Sequence, residues 1–155
     1  MANSNNNHKD RKAGVLWTGD LKTGSGLIST ESRALFELPY SNGTRFEDET
    51  GANPEELIAA AHAACISMAV ANTLRRNGYT PVQTETTATC TMTSNNGRQE
   101  ITNMLLHVRG EVPDIDEATF NKMVREADKS SPVSNLLRNG LEIEITTALI
   151  QPNGA

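Results

Sequence analysis

The amino-acid sequence predicts an α+β fold, with helices packed on antiparallel sheet. Short β-type runs broken by glycine and proline fill residues 14–40. A long alanine-rich stretch over 53–77 has strong helix-start and helix-stop signals. Alternating runs then flank an Asn-Gly turn and are followed by a second helical pattern and a last strand. At 155 residues the chain suits one domain with a real core. We expect a polar, mobile tail over residues 1–12 and a single domain over 13–155.

The first part reads as a meander. Val15-Leu16-Trp17, residues 26–30 and residues 34–38 are the strand candidates, separated by Gly24, Gly26, Ser32 and Pro39, and Ser41-Asn-Gly-Thr44 forms a turn. For the first helix, Asn53 suits the N-cap, Pro54 the first helical position, and Glu55 and Glu56 the positive end of the dipole. Glu56, three residues after Asn53, is close to a capping box. Arg75 and Arg76 suit the other end, which Gly78 terminates. The many alanines between predict close approach by other elements all round, hence a central, buried helix.

Residues 83–93 alternate, placing Thr84, Thr86, Ala88, Cys90 and Met92 on one face. Asn95-Asn96-Gly97 is the turn, and residues 100–112 pair back with Ile101, Leu105 and Val108 among their apolar positions. Residues 114–129 form a second helix through Ile115, Ala118, Phe120, Met123, Val124 and Ala127. Ser131 and Pro132 begin a further short helix to Arg138, stopped at Gly140. Residues 141–150 close the fold as a strand, with Leu141, Ile143 and Ile145 on one face.

Composition narrows the function. The net charge of −5 gives no basic footprint for nucleic acid. No apolar run approaches the roughly 20 residues of a membrane span, and the first twelve residues lack a signal-peptide core, so a cytoplasmic protein without membrane partners is expected. Cys65 and Cys90 are the two cysteines, and a permanent disulfide is not expected in a reducing compartment. By helical spacing Cys65 shares a face with Leu57, Ile58, Ala61 and Met68, so periodicity alone makes it a packing cysteine.

Longer segments say more. Thr44-Arg-Phe-Glu47 and Gly51-Ala-Asn-Pro-Glu-Glu-Leu-Ile-Ala-Ala-Ala-His-Ala-Ala-Cys-Ile-Ser-Met-Ala69 resemble the OsmC family of hydroperoxide reductases. So do Trp17-Thr-Gly-Asp-Leu-Lys-Thr-Gly-Ser-Gly26, Val112-Pro-Asp-Ile-Asp116 with Phe120, and Pro132-Val-Ser134. The resemblance runs from about Gly14 to Leu149. It implies an intertwined homodimer with two active sites at the subunit interface. It also implies a thiolate that attacks a peroxide O–O bond and becomes a sulfenic acid. A second cysteine closes this to a disulfide, which an external dithiol reduces, with no metal, haem or flavin. By position Cys65 matches the attacking cysteine, Arg45 the activating arginine and Glu55 that arginine's partner.

Those residue types suit that chemistry. Only the thiolate is a good nucleophile, and a cysteine in mid-helix gets no help from a helix N-terminus. A fixed guanidinium supplies the positive charge and can hydrogen-bond the leaving oxygen, while a carboxylate holds it by a bidentate pair. Glu55 and Cys65 stand ten residues apart, about 15 Å along one helix. Arg45 and Glu55 of one subunit therefore serve Cys65 of the other more easily than their own. Read without the resemblance, Arg45 is a surface charge, Glu55 a dipole partner and Cys90 packing in a sheet. His62, three residues before Cys65, could be taken for a base, but the family's reliance on arginine favours a structural or interface role.

One position breaks the pattern. Where the family carries its second cysteine, directly before Pro132-Val-Ser134, this chain has Ser131. Ser131 suits a helix cap but cannot form a disulfide. Oxidised Cys65 would stop at sulfenic acid, react with an outside thiol, or over-oxidise. A one-cysteine reductase, a member that has lost turnover, and an engineered Cys-to-Ser change all fit. The expected function is reduction of organic hydroperoxides and hydrogen peroxide in stress defence. Phe46, Ile66 and Met68 give the organic ones an apolar surround. The alternative is a stress-related dimer that binds an apolar ligand or senses oxidation once at Cys65.

Overall fold

A computed structural model describes residues 8–150. Residues 1–7, most of the expected tail, lie outside the described residues; residues 8–12 are exposed. The chain divides into two compact units at residues 54 and 55.

The first unit is a three-stranded antiparallel sheet in the order β1 (Ala13–Thr18), β2 (Ser25–Thr30), β3 (Leu38–Ser41), followed by one helical turn, α1 (Asn42–Phe46). The β1–β2 turn is held by the Asp20 carboxylate, which accepts from the backbone N–H groups of Lys22 (2.8 Å) and Thr23 (3.0 Å). Gly26 does not separate strands but lies inside β2, opposite Trp17 on one side and Tyr40 on the other. The Trp17 and Tyr40 rings are 5.3 Å apart, and a Cβ at Gly26 would run into both. Glycine is needed there for the close approach of the rings, not for a turn.

Three further expectations are corrected in this unit. The third strand begins at Leu38, not at Ala34, because Arg33 (φ 61°) and Glu37 (φ 49°) take left-handed conformations that no strand continues through. Pro39 falls inside β3, which is an edge strand and so tolerates the missing N–H. Ser41 to Thr44 is a helix start and not only a turn. The Ser41 hydroxyl accepts from Thr44 N–H (3.2 Å), and the Thr44 hydroxyl accepts from Ser41 N–H (3.0 Å), a reciprocal capping box.

The second unit opens with α2 (Pro54–Arg76) and continues through β4 (Gln83–Asn95), β5 (Arg98–Glu111), α3 (Glu117–Ser130), α4 (Pro132–Leu137) and β6 (Glu142–Ile150). Helix α2 starts at the proline, as expected, and ends in a Schellman motif. Gly78 (φ 86°) donates to the Arg75 carbonyl and Tyr79 to the Leu74 carbonyl. Asn96 (φ 50°) and Gly97 (φ 80°) make the β4–β5 hairpin turn, both in the left-handed region that a two-residue turn of this hand requires.

The sheet order is β4-β5-β6, with β5 central. The β5–β6 pairing is parallel, which corrects the expectation of an all-antiparallel sheet. The connection runs through α3 and α4, a crossover long enough to return the chain in the same direction. Met104, Leu106 and Val108 of β5 form the core with Ile66, Val70 and Leu74 of α2 and with Phe120, Met123, Val124 and Ala127 of α3. Leu105, expected among the apolar positions, points to the opposite, exposed face. Ile101 still lies opposite Met92 because the register shifts by one residue beside Thr91. That irregularity reverses which residues of β5 face inward, and simple alternation cannot reveal it. Helix α3 starts at Glu117 and not Asp114, because the Asp116 carboxylate caps it by accepting from Thr119 N–H (2.8 Å).

Helix α2 is buried on one face only. Ala59, His62, Ile66, Val70 and Leu74 are inside, while Ala60, Ala61 and Ala64 are exposed and Met68 is 75% exposed. The expectation of a helix enclosed on all sides is corrected for the single chain. The helix is also long and apolar enough, by length and composition, to cross a membrane, contrary to the sequence reading. Its buried face is nevertheless part of the core of the second unit.

Candidate active site

Helix α2 and the start of α4 bring together two pairs of side chains, each pair spaced three residues apart. His62 and Cys65 lie on α2; Ser131 and Ser134 lie at the cap and in the first turn of α4. The Cys65 Sγ is 3.2 Å from the Ser131 Oγ. The His62 Nε2 is 2.8 Å from the Ser134 Oγ. Ser131 also accepts a hydrogen bond from Ser134 N–H (3.3 Å), so it fulfils the expected capping role and contacts the sulfur at the same time. His62, Ser131 and Ser134 are fully buried, and Cys65 is half-buried.

Behind this cluster Asp128 accepts from the Arg138 guanidinium (2.7 Å). Burial lowers the pKa of His62 below its ordinary 6.5, an effect opposed by Asp128 and reinforced by Arg138. The imidazole is therefore neutral at pH 7, and its ring is turned to Ser134. Its Nδ1 has no hydrogen-bond partner among the described residues. A structural histidine, as expected, fits this better than a base for Cys65.

The lowered pKa carries a sign. Above pH 6.5 both folded and unfolded chains hold His62 neutral. As pH falls below 6.5 the unfolded chain takes up a proton that the folded chain resists, and stability is lost toward the folded value. Urea midpoints at about pH 7.5 and about pH 5.5 should therefore differ, with the protein weaker in acid, and His62→Gln should shrink that difference. An undiminished difference in the variant would contradict the assignment.

Cys90 is half-buried in β4 and packs against the core, as expected for a packing residue. Burial raises its thiol pKa and the Glu55 carboxylate adds to the rise, so it stays protonated and a poor nucleophile. Glu55 is buried at the start of α2. Arg45 is in the first unit, on α1, its guanidinium 4.9 Å from the centre of the Phe46 ring. It lines a pocket of about 200 Å³ with Trp17, Leu21, Tyr40 and Phe46. Among the described residues no group of three or more His, Cys, Asp or Glu side chains is placed to hold a metal ion.

Ser134 was not singled out by sequence reasoning. The signal available was the matched spacing, His62 to Cys65 and Ser131 to Ser134, three residues in each helix.

The second unit is an α+β unit with a half-buried cysteine on its core helix, facing a buried hydroxyl at the cap of α4. The family described as OsmC-like protein matches residues 47–146, and the chain belongs to that family. It is 42% identical over 134 residues to Peroxiredoxin OsmC of Escherichia coli strain K12, covering 86% of this chain and 94% of that one. It is 22% identical over 127 residues to Organic hydroperoxide resistance protein-like 1 of Staphylococcus saprophyticus, covering 81% and 89%. In structure it is similar to an OsmC-like protein of Mycoplasma pneumoniae (TM-score 0.72, 16% identity, 92% and 98% covered). It is also similar to an organic hydroperoxide resistance protein of Elizabethkingia anophelis (TM-score 0.71, 24% identity, 90% and 96% covered). These structural likenesses bear on the fold.

Proposed function

We propose that the chain is a thiol-dependent hydroperoxide reductase of peroxide stress defence, with Cys65 as the attacking sulfur. The observation that supports this is the 3.2 Å contact of Cys65 with Ser131, the position that the resemblance gives to the family's second cysteine. The Cys65 thiolate attacks one oxygen of the O–O bond. The bond breaks, the sulfur becomes a sulfenic acid, and the alkoxide leaves and takes up a proton to become an alcohol. The two electrons come from sulfur, so the step needs no bound cofactor, and an external thiol must later restore the cysteine.

Arg45 is the proposed activating cation and Glu55 its partner. The apolar rings beside Arg45 support an organic hydroperoxide as the preferred substrate, because an alkyl or aryl group can lie against Trp17, Leu21 and Phe46. The working unit in this reading is a cytoplasmic homodimer of 13–155 domains, Arg45 and Glu55 of one subunit serving Cys65 of the other. The exposed alanine stripe of α2 suits close contact with a second copy. A monomeric variant with full activity would contradict this arrangement. The test of the function is stopped-flow mixing with an organic hydroperoxide while thiols are counted. One thiol per chain should disappear rapidly. If no thiol is consumed, Ser131 favours the second reading, a dimer that binds an apolar ligand without turnover.

A further inference from the structure

We infer that Ser131 is a catalytic hydrogen-bond donor to the Cys65 sulfur, and that the enzyme runs a one-cysteine cycle closed by a small monothiol. This rests on the proposed role of Cys65. Ser131 is fully buried and its oxygen already accepts from Ser134 N–H, while its own proton has the Cys65 sulfur 3.2 Å away. A thiolate has no proton to give. In the reactive state the hydroxyl is therefore the donor, and it reaches the half-buried sulfur from the fully buried side. The hydroxyl is held from two sides. Its backbone is fixed at the α4 cap, where Ser131 N–H donates to the Asp128 carbonyl, and Ser134 is held in turn by the buried His62.

The same contact determines how the cycle ends. The group facing the sulfenic acid is a hydroxyl, which cannot condense with it to a disulfide. Cys90 is kept protonated by its surroundings and is a poor second thiol. The sulfenic acid instead condenses with a monothiol from solution, releasing water and leaving a mixed disulfide on Cys65. A second monothiol attacks that disulfide, regenerates the Cys65 thiol and departs as the symmetrical disulfide. Each turnover thus oxidises two monothiols and reduces one hydroperoxide to alcohol and water.

The test uses the full chain, cumene hydroperoxide and glutathione as the probe monothiol. Ser131→Gly removes the hydroxyl at a site where glycine is a tolerable cap, and Ser131→Ala is its companion. Both should move the onset of thiolate ultraviolet absorbance to higher pH and slow Cys65 oxidation at pH 7 about tenfold, as expected for losing a hydrogen bond to a charged group. Ser131→Thr, which keeps a hydroxyl, should recover much of the rate. Mass spectrometry of oxidised wild-type protein after glutathione should find the mixed disulfide on Cys65. In Ser131→Cys an internal disulfide between Cys65 and the introduced thiol should replace it. Unchanged titration and rate in both hydroxyl-free variants would overturn the donor role. A Cys65–Cys90 disulfide in the wild type would overturn the one-cysteine cycle. Absence of any Cys65 oxidation would instead remove the reductase reading beneath both.

Discussion

Replacing Cys65 by alanine is expected to slow hydroperoxide consumption at least about a thousandfold, roughly 4 kcal/mol of barrier. The size of the effect follows from the lack of a substitute. Cys90 is held protonated by burial and by the Glu55 carboxylate, and its place in β4 is a packing position of the core. His62 is neutral with its Nε2 committed to Ser134, and the Ser131 hydroxyl has no base beside it in the described cluster. None of these attacks a peroxide oxygen at a useful rate. Consumption assayed with a monothiol in excess, after urea unfolding has shown the variant as stable as the parent, measures the loss. Retention of more than a tenth of the rate would mean another group does the chemistry.

The second large effect is structural. Phe120 of α3 is fully buried against β5, where Gly110 leaves room for its ring. A Cβ at Gly110 would lie 2.5 Å from two ring carbons. Phe120→Ala empties that space in the middle of a core that also holds Val108, Val124 and Met104. Such truncations cost about 3–5 kcal/mol, a large share of the stability of a domain this size. A urea midpoint series should show a fall of that order at unchanged slope. A loss under about 1 kcal/mol would mean the core relaxes around the gap.

The sequence made some of this legible and hid the rest for identifiable reasons. Local signals were reliable where one residue type satisfies one local demand. Pro54 and Gly78 bound α2, Asn96-Gly97 turns the hairpin, and Ser131 caps α4. Signals failed where a distant partner decides. The parallel pairing of β6 depends on where α3 and α4 deliver the chain, and the inward face of β5 depends on one register shift beside Thr91. Gly26 looked like punctuation but is the gap between two aromatic rings on neighbouring strands.

The alanines of α2 suggested burial on every side. In the single chain the stripe Ala60, Ala61, Ala64 and Met68 is open, so composition reported what the helix can approach, not what this chain alone supplies. For the site, the contact of Cys65 with Ser131 was reachable only through family resemblance, since 66 residues separate them. The His62–Ser134 bond that braces it came from folding alone.

Everything proposed for the site depends on Cys65 taking the peroxide oxygen. The most direct test of that step is peptide mass spectrometry after a single equivalent of cumene hydroperoxide, with a sulfenic-acid trap present. The trapped adduct should appear on the peptide that carries Cys65, with Cys90 unmodified. Oxidation confined to Cys90, or an unmodified protein with its peroxide unspent, would contradict it.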